Sequence, residues 1–323
     1  MTYPRVLCLG EVLFDCLANQ LGRSKEAVES WTPYPGGAPA NVACALVKLG
    51  TSSGFIGCVG QDEAGNALVQ LLEKVGVDST GIQRHQSAPT RTVFVLRSTE
   101  GDRTFAGFSG DTTAFADAYL QADQLSVELF EHAEFLVLGT LELAYPQTHA
   151  AITRAIQLAE QYHLKILVDV NWRPMFWPLP NAANTPILEL INHVDFLKLS
   201  LEEAEWLFGT SDPKAIADRL DSLEGVLITD GDKGCAFCFA HENVGRLPAF
   251  PVRAIDTTGA GDGFVAGIIH QICLNGIKAL SDPQAARRIV AYASAVGAIT
   301  AMRPGAIAAQ PTALQVEEFL RSH

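Results

Sequence analysis

Short runs of apolar β-formers alternate with stretches of helical composition along most of this chain. That alternation constrains the fold more than any other feature. Val6 to Leu9 reads as a strand ending at Gly10, and Ala40 to Leu49 as a helix that Gly50 can close. Gly54 to Val59 is the next strand and Ala64 to Lys74 the next helix. Further strands fall at Phe135 to Leu138, Lys165 to Val170, Val194 to Leu199 and Gly225 to Thr229, with Cys235 to Phe239 after the turn Asp230 to Gly234. Helices are expected over 148–163, 202–208, 263–275, 284–301 and near 312–321. Repeated β-then-α order implies a mainly parallel sheet with helices on both faces. No repeat, low-complexity tract or linker divides the chain, so a single domain over residues 1–323 is expected.

Two segments stand apart. Residues 31–39 are rich in Pro and Gly and read as a loop. Residues 88–110 read as a hairpin: Thr90 to Ser98 outward, the turn Glu100-Gly101-Asp102, and Arg103 to Phe108 back. A hairpin between α/β units predicts a projecting β lid, made of residues about 88–110 with part of 12–34.

Composition narrows the function classes. With 48% hydrophobic and 18% charged residues the chain can build a large core and is not disordered. A net charge of −13 disfavours general nucleic-acid binding. A nucleotide remains accessible, since backbone amides and Mg²⁺ can meet its phosphates. Seven cysteines, an odd number set mostly in apolar runs, fit reduced thiols. Cys235 and Cys238 form one CxxC without a second pair or a His cluster, so buried strand thiols are expected rather than zinc ligands. Met-Thr-Tyr-Pro-Arg is no signal peptide and no apolar run is long enough to span a membrane, so a cytoplasmic protein is expected.

The chemistry-bearing segments follow strands, where open α/β sheets bind ligands. Asp256-Thr257-Thr258-Gly259-Ala260-Gly261-Asp262-Gly263-Phe264 places small residues and a carboxylate before an apolar helix. N–H groups of Gly259, Ala260 and Gly261 can cradle an anion, and Asp262 beside them can act as a general base; equally, Asp262 can be a helix cap. Asp15 can accept two hydroxyls of a polyol, or be a solvated loop residue. Gly36-Gly37-Ala38-Pro39-Ala40-Asn41 lets backbone approach a ligand and supplies the Asn41 amide, or is an ordinary loop and first helical turn. Arg173 can meet phosphate oxygens or be a surface arginine. Glu203 can hold Mg²⁺ through water or favour its helix dipole. Neither GxxxxGK[ST] nor a strand-GxGxxG-helix is found, against P-loop and nicotinamide-dinucleotide readings.

Taken in order, these segments resemble the ribokinase-like (PfkB) family of carbohydrate kinases over essentially the whole chain, and most closely its fructokinases. Asp256 to Asp262 matches the DTxGAGD signature and Gly36 to Asn41 the GGxxAN signature. Gly10-Glu11 through Asp15 resembles the opening strand and sugar carboxylate. Gly60-Gln61-Asp62 with Gly65 resembles the "G.D..G" segment, and Gly305-Ala306-Ile307 with Pro311-Thr312 the GAIPALPT-type one. Lys198, Ser200 and Glu203 match the K-x-S-x-x-E form of the Mg²⁺ motif.

The resemblance implies a three-layer α/β/α fold and an ATP-dependent transfer to a primary sugar hydroxyl. Asp262 would be the base and Gly259, Ala260 and Gly261 the anion hole, with Arg173 near the phosphates. Asp15, Gly36, Gly37 and Asn41 would hold the sugar. ATP would lie along Thr229, Gly231 and Gly234 against the helix carrying Ser294, with Lys198 and Ser200 on the nucleotide side. Glu203 would organise Mg²⁺, while Asp256 and Thr258 match part of a K⁺ site. A homodimer through the lid is implied as well.

Three departures bear on sugar and nucleotide identity. Phe108 to Ala114 lacks the arginine of an R-x-P-x-A-D segment, Ser294 replaces the frequent Asn or His, and Ala309-Gln310 replaces Ala-Leu. Kinases of 2-keto-3-deoxygluconate, ribose or a nucleoside, or a silent kinase-like regulator, remain alternatives. For a sugar acid, Arg103 and Arg173 are the candidate carboxylate partners.

Overall fold

The computed structural model describes residues 3–98, 103–220 and 222–323. The expected turn Glu100-Gly101-Asp102 lies outside the described residues, and so does the side chain of Arg103. In chain order the strands are β1 (Val6–Leu9), β2 (Leu13–Ala18), β3 (Trp31–Gly36), β4 (Ser53–Gly60), β5 (Asp78–His85), β6 (Thr92–Arg97), β7 (Arg103–Phe108), β8 (Phe135–Leu138), β9 (Lys165–Asp169), β10 (Phe196–Ser200), β11 (Gly225–Thr229), β12 (Cys235–Phe239) and β13 (Asn243–Leu247). The α-helices are α1 (Ala38–Leu49), α2 (Glu63–Val75), α3 (Val127–His132), α4 (Pro146–Gln161), α5 (Asn184–Ile191), α6 (Leu201–Phe208), α7 (Pro213–Ala217), α8 (Ala260–Asn275), α9 (Pro283–Ala301), α10 (Ala306–Ala309) and α11 (Ala313–Ser322).

Among the described residues, one sheet runs β13-β12-β11-β10-β9-β8-β1-β4-β5 and a second runs β3-β2-β6-β7. In the large sheet every pairing from β5 across to β11 is parallel; β12 and β13 add antiparallel edge strands. Alternation along β1 shows why helices cover both faces. Val6 and Cys8 enter one core with Phe55, α1, α8 and α9; Leu7 and Leu9 enter the other with Ile56 and α4. All four side chains are fully buried, the pattern of a central parallel strand. The expected three-layer α/β/α architecture with a small separate β sheet is therefore present. No described helix is long and apolar enough to cross a membrane.

The small sheet corrects one expectation. Trp31 to Pro39, read as a loop, is strand β3 followed by the start of α1. Pro33 and Pro35 suggested a loop because proline cannot donate to a ladder. Here β3 is an edge strand paired only to β2, a position where proline is tolerated. Helix α8 likewise begins at Ala260, three residues before the expected start, so Asp262 lies inside the helix.

Two polar knots join the small sheet to the large one. Asp62 caps α2 through the Gly65 N–H (2.7 Å) and also accepts from the Thr90 N–H and hydroxyl (2.7 Å each), just before β6. Next to it, fully buried Arg91 donates to Asp117 at 2.5 and 2.8 Å and to the Tyr145 hydroxyl at 3.1 Å. Its guanidinium also stacks over Phe115 at 4.6 Å.

Helices α8 and α9 cross closely. A Cβ on Gly267 would sit 2.6 Å from the Ala293 Cα, and one on Gly297 would sit 2.9 Å from the Ala260 carbonyl. Gly267→Ala should therefore force the helices apart and lower stability by about 1–3 kcal/mol. Thermal unfolding checks this; an unchanged midpoint contradicts the close crossing.

Candidate active site

Helix α8 begins at a strained point. Gly259 is its N-cap with φ of +79°, and a Cβ there would lie 3.0 Å from both Cα and Cβ of Ala306. Glycine is required by both conformation and space. Buried Gln310 holds this corner by donating Nε2–H to the Gly259 carbonyl at 3.0 Å, while its Oε1 accepts from Thr300 at 3.1 Å.

The Ala260 N–H donates to the Thr257 carbonyl at 3.1 Å, so this donor is already engaged. The Gly261 and Asp262 N–H groups donate to no backbone carbonyl among the described residues. They are first-turn amides, which have no partner inside their own helix. Of the expected Gly259-Ala260-Gly261 set, only the Ala260 N–H is taken up by a backbone carbonyl among the described residues; the Gly259 and Gly261 N–H groups are not, and neither is that of Asp262 beside them.

Asp262 does not cap the helix. Its carboxylate accepts from the Asn41 Nδ2–H at 2.7 Å, across from α1. Burial pushes its pKa up to about 6; the Asn41 hydrogen bond and the cations Lys198 and Arg173 oppose that, and Asp169 adds to it. A buried carboxyl titrating near neutrality beside a cleft is a general-base candidate.

A cavity of about 410 Å³ opens over this corner, between the large sheet and the small one. The small sheet supplies Leu13, Asp15, Val93 and Phe105; the loop after β9 supplies Asn171 and Arg173, β10 supplies Lys198 and α8 supplies Asp262. Gly37 and Asn41 line it as well. Gly37 has φ of +105°, and any Cβ there would collide with the Glu11 carbonyl. A second cavity of about 360 Å³ lies beyond α8, lined by Thr229, Gly231, Gly234, Phe250, Phe264 and Ser294 among others. The two cavities share Thr257 and Gly261.

The sequence-picked residues therefore divide. Asp15, Gly37, Asn41, Arg173, Lys198, Thr258, Gly259, Gly261 and Asp262 meet in the first cavity; Thr229, Gly231, Gly234, Ala260 and Ser294 meet in the second. Gly36 lines neither, lying where a Cβ would approach Asp15 Oδ2 at 2.9 Å. Lys198, expected on the nucleotide side, faces the first cavity and pairs with Asp169 at 3.0 Å. Burial works against its charge, but Asp169 and Glu203 outweigh it and raise its pKa.

Ser200 and Glu203 line neither cavity. They form a reciprocal cap on α6: the Ser200 hydroxyl accepts from the Glu203 N–H at 3.1 Å, and Glu203 accepts from the Ser200 N–H at 2.7 Å. The other Glu203 oxygen accepts from the Trp172 N–H at 2.7 Å, fixing the loop that carries Arg173. Asp256 accepts from the N–H groups of Thr258 (3.0 Å) and Gly305 (2.8 Å), tying the segment before α8 to that before α10. No group of three or more His, Cys, Asp or Glu among the described residues could hold a metal ion by itself.

Sequence reasoning passed over Asp169, Asn171, Thr257 and Phe105, all of which line the first cavity. Asp169 ends β9 and Phe105 alternates inward on β7, so strand ends and hairpin alternation were the available signals.

Residues 4–313 match the family described as pfkB family carbohydrate kinase. Probable fructokinase-3 of Arabidopsis thaliana is 34% identical, over 98% of this chain and 91% of its own. The structure of fructokinase with bound ATP from Xylella fastidiosa superposes with a TM-score of 0.89 at 28% identity, covering 98% of both chains. Fructokinase from Vibrio cholerae O395, in a form with fructose, ADP and calcium ion bound, superposes with a TM-score of 0.84 at 25% identity, covering 98% of this chain and 99% of that one. With this site at the start of α8 and these likenesses across its length, the chain belongs to the pfkB family of carbohydrate kinases and is a sugar phosphotransferase.

Proposed function

We propose that this protein is an ATP-dependent fructokinase, converting D-fructose and ATP to fructose 6-phosphate and ADP. One observation carries the reading: two cavities meet at Thr257 and Gly261, where the buried Asp262 carboxylate and open first-turn amides adjoin. A sugar in the first cavity and a nucleotide in the second would bring hydroxyl and phosphate together over the start of α8. The fructokinases of Xylella and Vibrio, which hold ATP in one case and fructose with ADP in the other, support that assignment.

In this mechanism Asp15, the Gly37 backbone and Asn41 hold the sugar hydroxyls. Asp262 takes the proton of the primary hydroxyl as its oxygen attacks the terminal phosphorus of ATP. Charge on the transferring oxygens meets the Gly261 and Asp262 N–H groups and the positive end of α8. Lys198 and Arg173 add cationic charge on the cleft side. Thr229, Gly231, Gly234 and Ser294 would hold the nucleoside. Mg²⁺, when bound, would supply charge that offsets that of the phosphates, and Glu203 would act on its surroundings by fixing the Trp172–Arg173 loop. Asp256 and Thr258 order a loop suited to K⁺ beside the anion edge. The small sheet serves as a lid on a one-domain kinase, excluding water that would otherwise accept the phosphoryl group.

Asp262→Ala should lower kcat by at least about 10²-fold while ATP still binds. Near-normal turnover in that variant, measured by ADP release with binding followed by calorimetry, contradicts the base assignment. A pH profile gives a second check. Asp262 must be ionised, so kcat should fall as pH drops below about 6, the value to which burial raises it. A rate independent of pH through that range speaks against the assignment. Among fructose, ribose, 2-keto-3-deoxygluconate and nucleosides, fructose should give the highest kcat/KM; preference for another acceptor would reassign the substrate.

A further inference from the structure

At the wall of the first cavity lies a second pair of acids, one of which lines it, that phosphoryl transfer does not use. Glu11, in the link from β1 to β2, is buried with 7% exposure, and Glu142, just after β8, with 2%. Their carboxyl groups lie within hydrogen-bonding reach of each other. Apart from its own backbone N–H, no N–H or hydroxyl donor reaches either Glu142 oxygen among the described residues. Glu142 Oε1 is also packed against β1, 2.8 Å from where a Cβ on Gly10 would sit. Glu11 Oε1 accepts from the Ala38 N–H at 2.7 Å, at the first residue of α1. Two carboxylates so close in a dry site cannot both carry charge, and a single proton between them satisfies both.

Asp117 adds a further negative charge, but Arg91 neutralises it in a bidentate pair and Tyr145 binds Arg91. From α1 the pair meets the Ala38 N–H and the Pro39 side of Gly10. Asp262, Asp169 and Lys198 lie across the cavity that Glu11 lines. Burial raises the titration of both acids above the ordinary carboxyl range; the charge and hydrogen bond of Glu11 raise Glu142 further, while the hydrogen bond with Glu142 works the other way on Glu11.

We propose that a proton shared by Glu11 and Glu142 pins the start of α1 to the end of β8, and thereby positions Gly37 and Asn41 for the sugar. These are positioning residues: neither touches the reacting atoms. Losing the proton leaves two repelling charges, which push Glu11 away from the Ala38 N–H and loosen the sugar side of the cleft. The nucleotide cavity lies beyond α8 and is unaffected. The consequence for sugar rests on the fructokinase reading; the consequence for stability does not.

The test compares wild type with Glu142→Gln across neutral and alkaline pH. An amide supplies a permanent donor to Glu11 without a titrating proton. Wild-type KM for fructose should rise by at least about threefold as pH increases, with kcat and the KM for ATP constant. In Glu142→Gln the fructose KM should stay flat at the low-pH wild-type value. The melting temperature without ligands gives an independent reading. The folded pair holds a proton that the unfolded chain releases in the ordinary carboxyl range, so wild-type stability falls as pH rises from there through the raised pKa. Glu142→Gln removes that slope and should melt above wild type at alkaline pH, with the difference vanishing in mild acid. Asp262 is common to both proteins and cancels. A melting difference that does not change with pH, or a Gln variant that fails to fold at any pH, overturns the shared proton. A pH-dependent melting difference with identical fructose KM profiles overturns the link to sugar binding alone. No fructose turnover by wild type would instead count against the function proposed above.

Discussion

The left-handed turn at Gly259 is the constraint on which the rest of this molecule depends. Only there can the chain leave the Asp256–Thr258 loop, pass so close to Ala306 that an added Cβ would lie 3.0 Å from it, and enter α8 with first-turn amides unengaged. Everything around it holds that corner. Gln310 grips the Gly259 carbonyl, Asp256 ties the loop to Gly305, and α9 packs so tightly that Gly267 and Gly297 admit no side chain. The Gln310 departure from the family's usual Ala-Leu thus has a structural reason. Its amide links Gly259 to Thr300 on α9, a polar brace where leucine would offer only packing.

Acidic residues in this protein are sorted by what surrounds them. Asp117 pairs with Arg91 and Asp169 with Lys198, both pairs nearly inaccessible to water. Glu203 faces two backbone amides. Asp262 has only the Asn41 amide as a close donor, with cations further off, and burial lifts its titration toward neutrality. Similar chemical groups therefore serve as struts in three places and as a candidate base in one, because their donors differ.

Much of this was legible from the chain alone. The alternation of apolar runs reported the parallel sheet, because central strands buried on both faces must be continuously hydrophobic. The small residues of 259–261 and the carboxylate of Asp262 pointed to a turn opening onto an apolar helix, although the helix starts three residues earlier than expected and Asp262 read equally well as a cap. What escaped was set by long-range pairing. Trp31 to Gly36 is a strand only because β2 offers it a partner; its prolines said otherwise. The engagement of Ala260 depends on a turn back to Thr257, and the Ser200–Glu203 cap depends on local geometry that the kinase motif also matches. Glu11 and Glu142 lie far apart in the chain, and nothing in either neighbourhood announces that they meet.

The most direct measurement is a structure with fructose and a nonhydrolysable ATP analogue bound. The account predicts the terminal phosphate on the Gly261 and Asp262 N–H groups, and the primary hydroxyl of the sugar about 3 Å from the Asp262 carboxylate. A terminal phosphate held away from the start of α8, or a sugar whose hydroxyls all point away from Asp262, would contradict it.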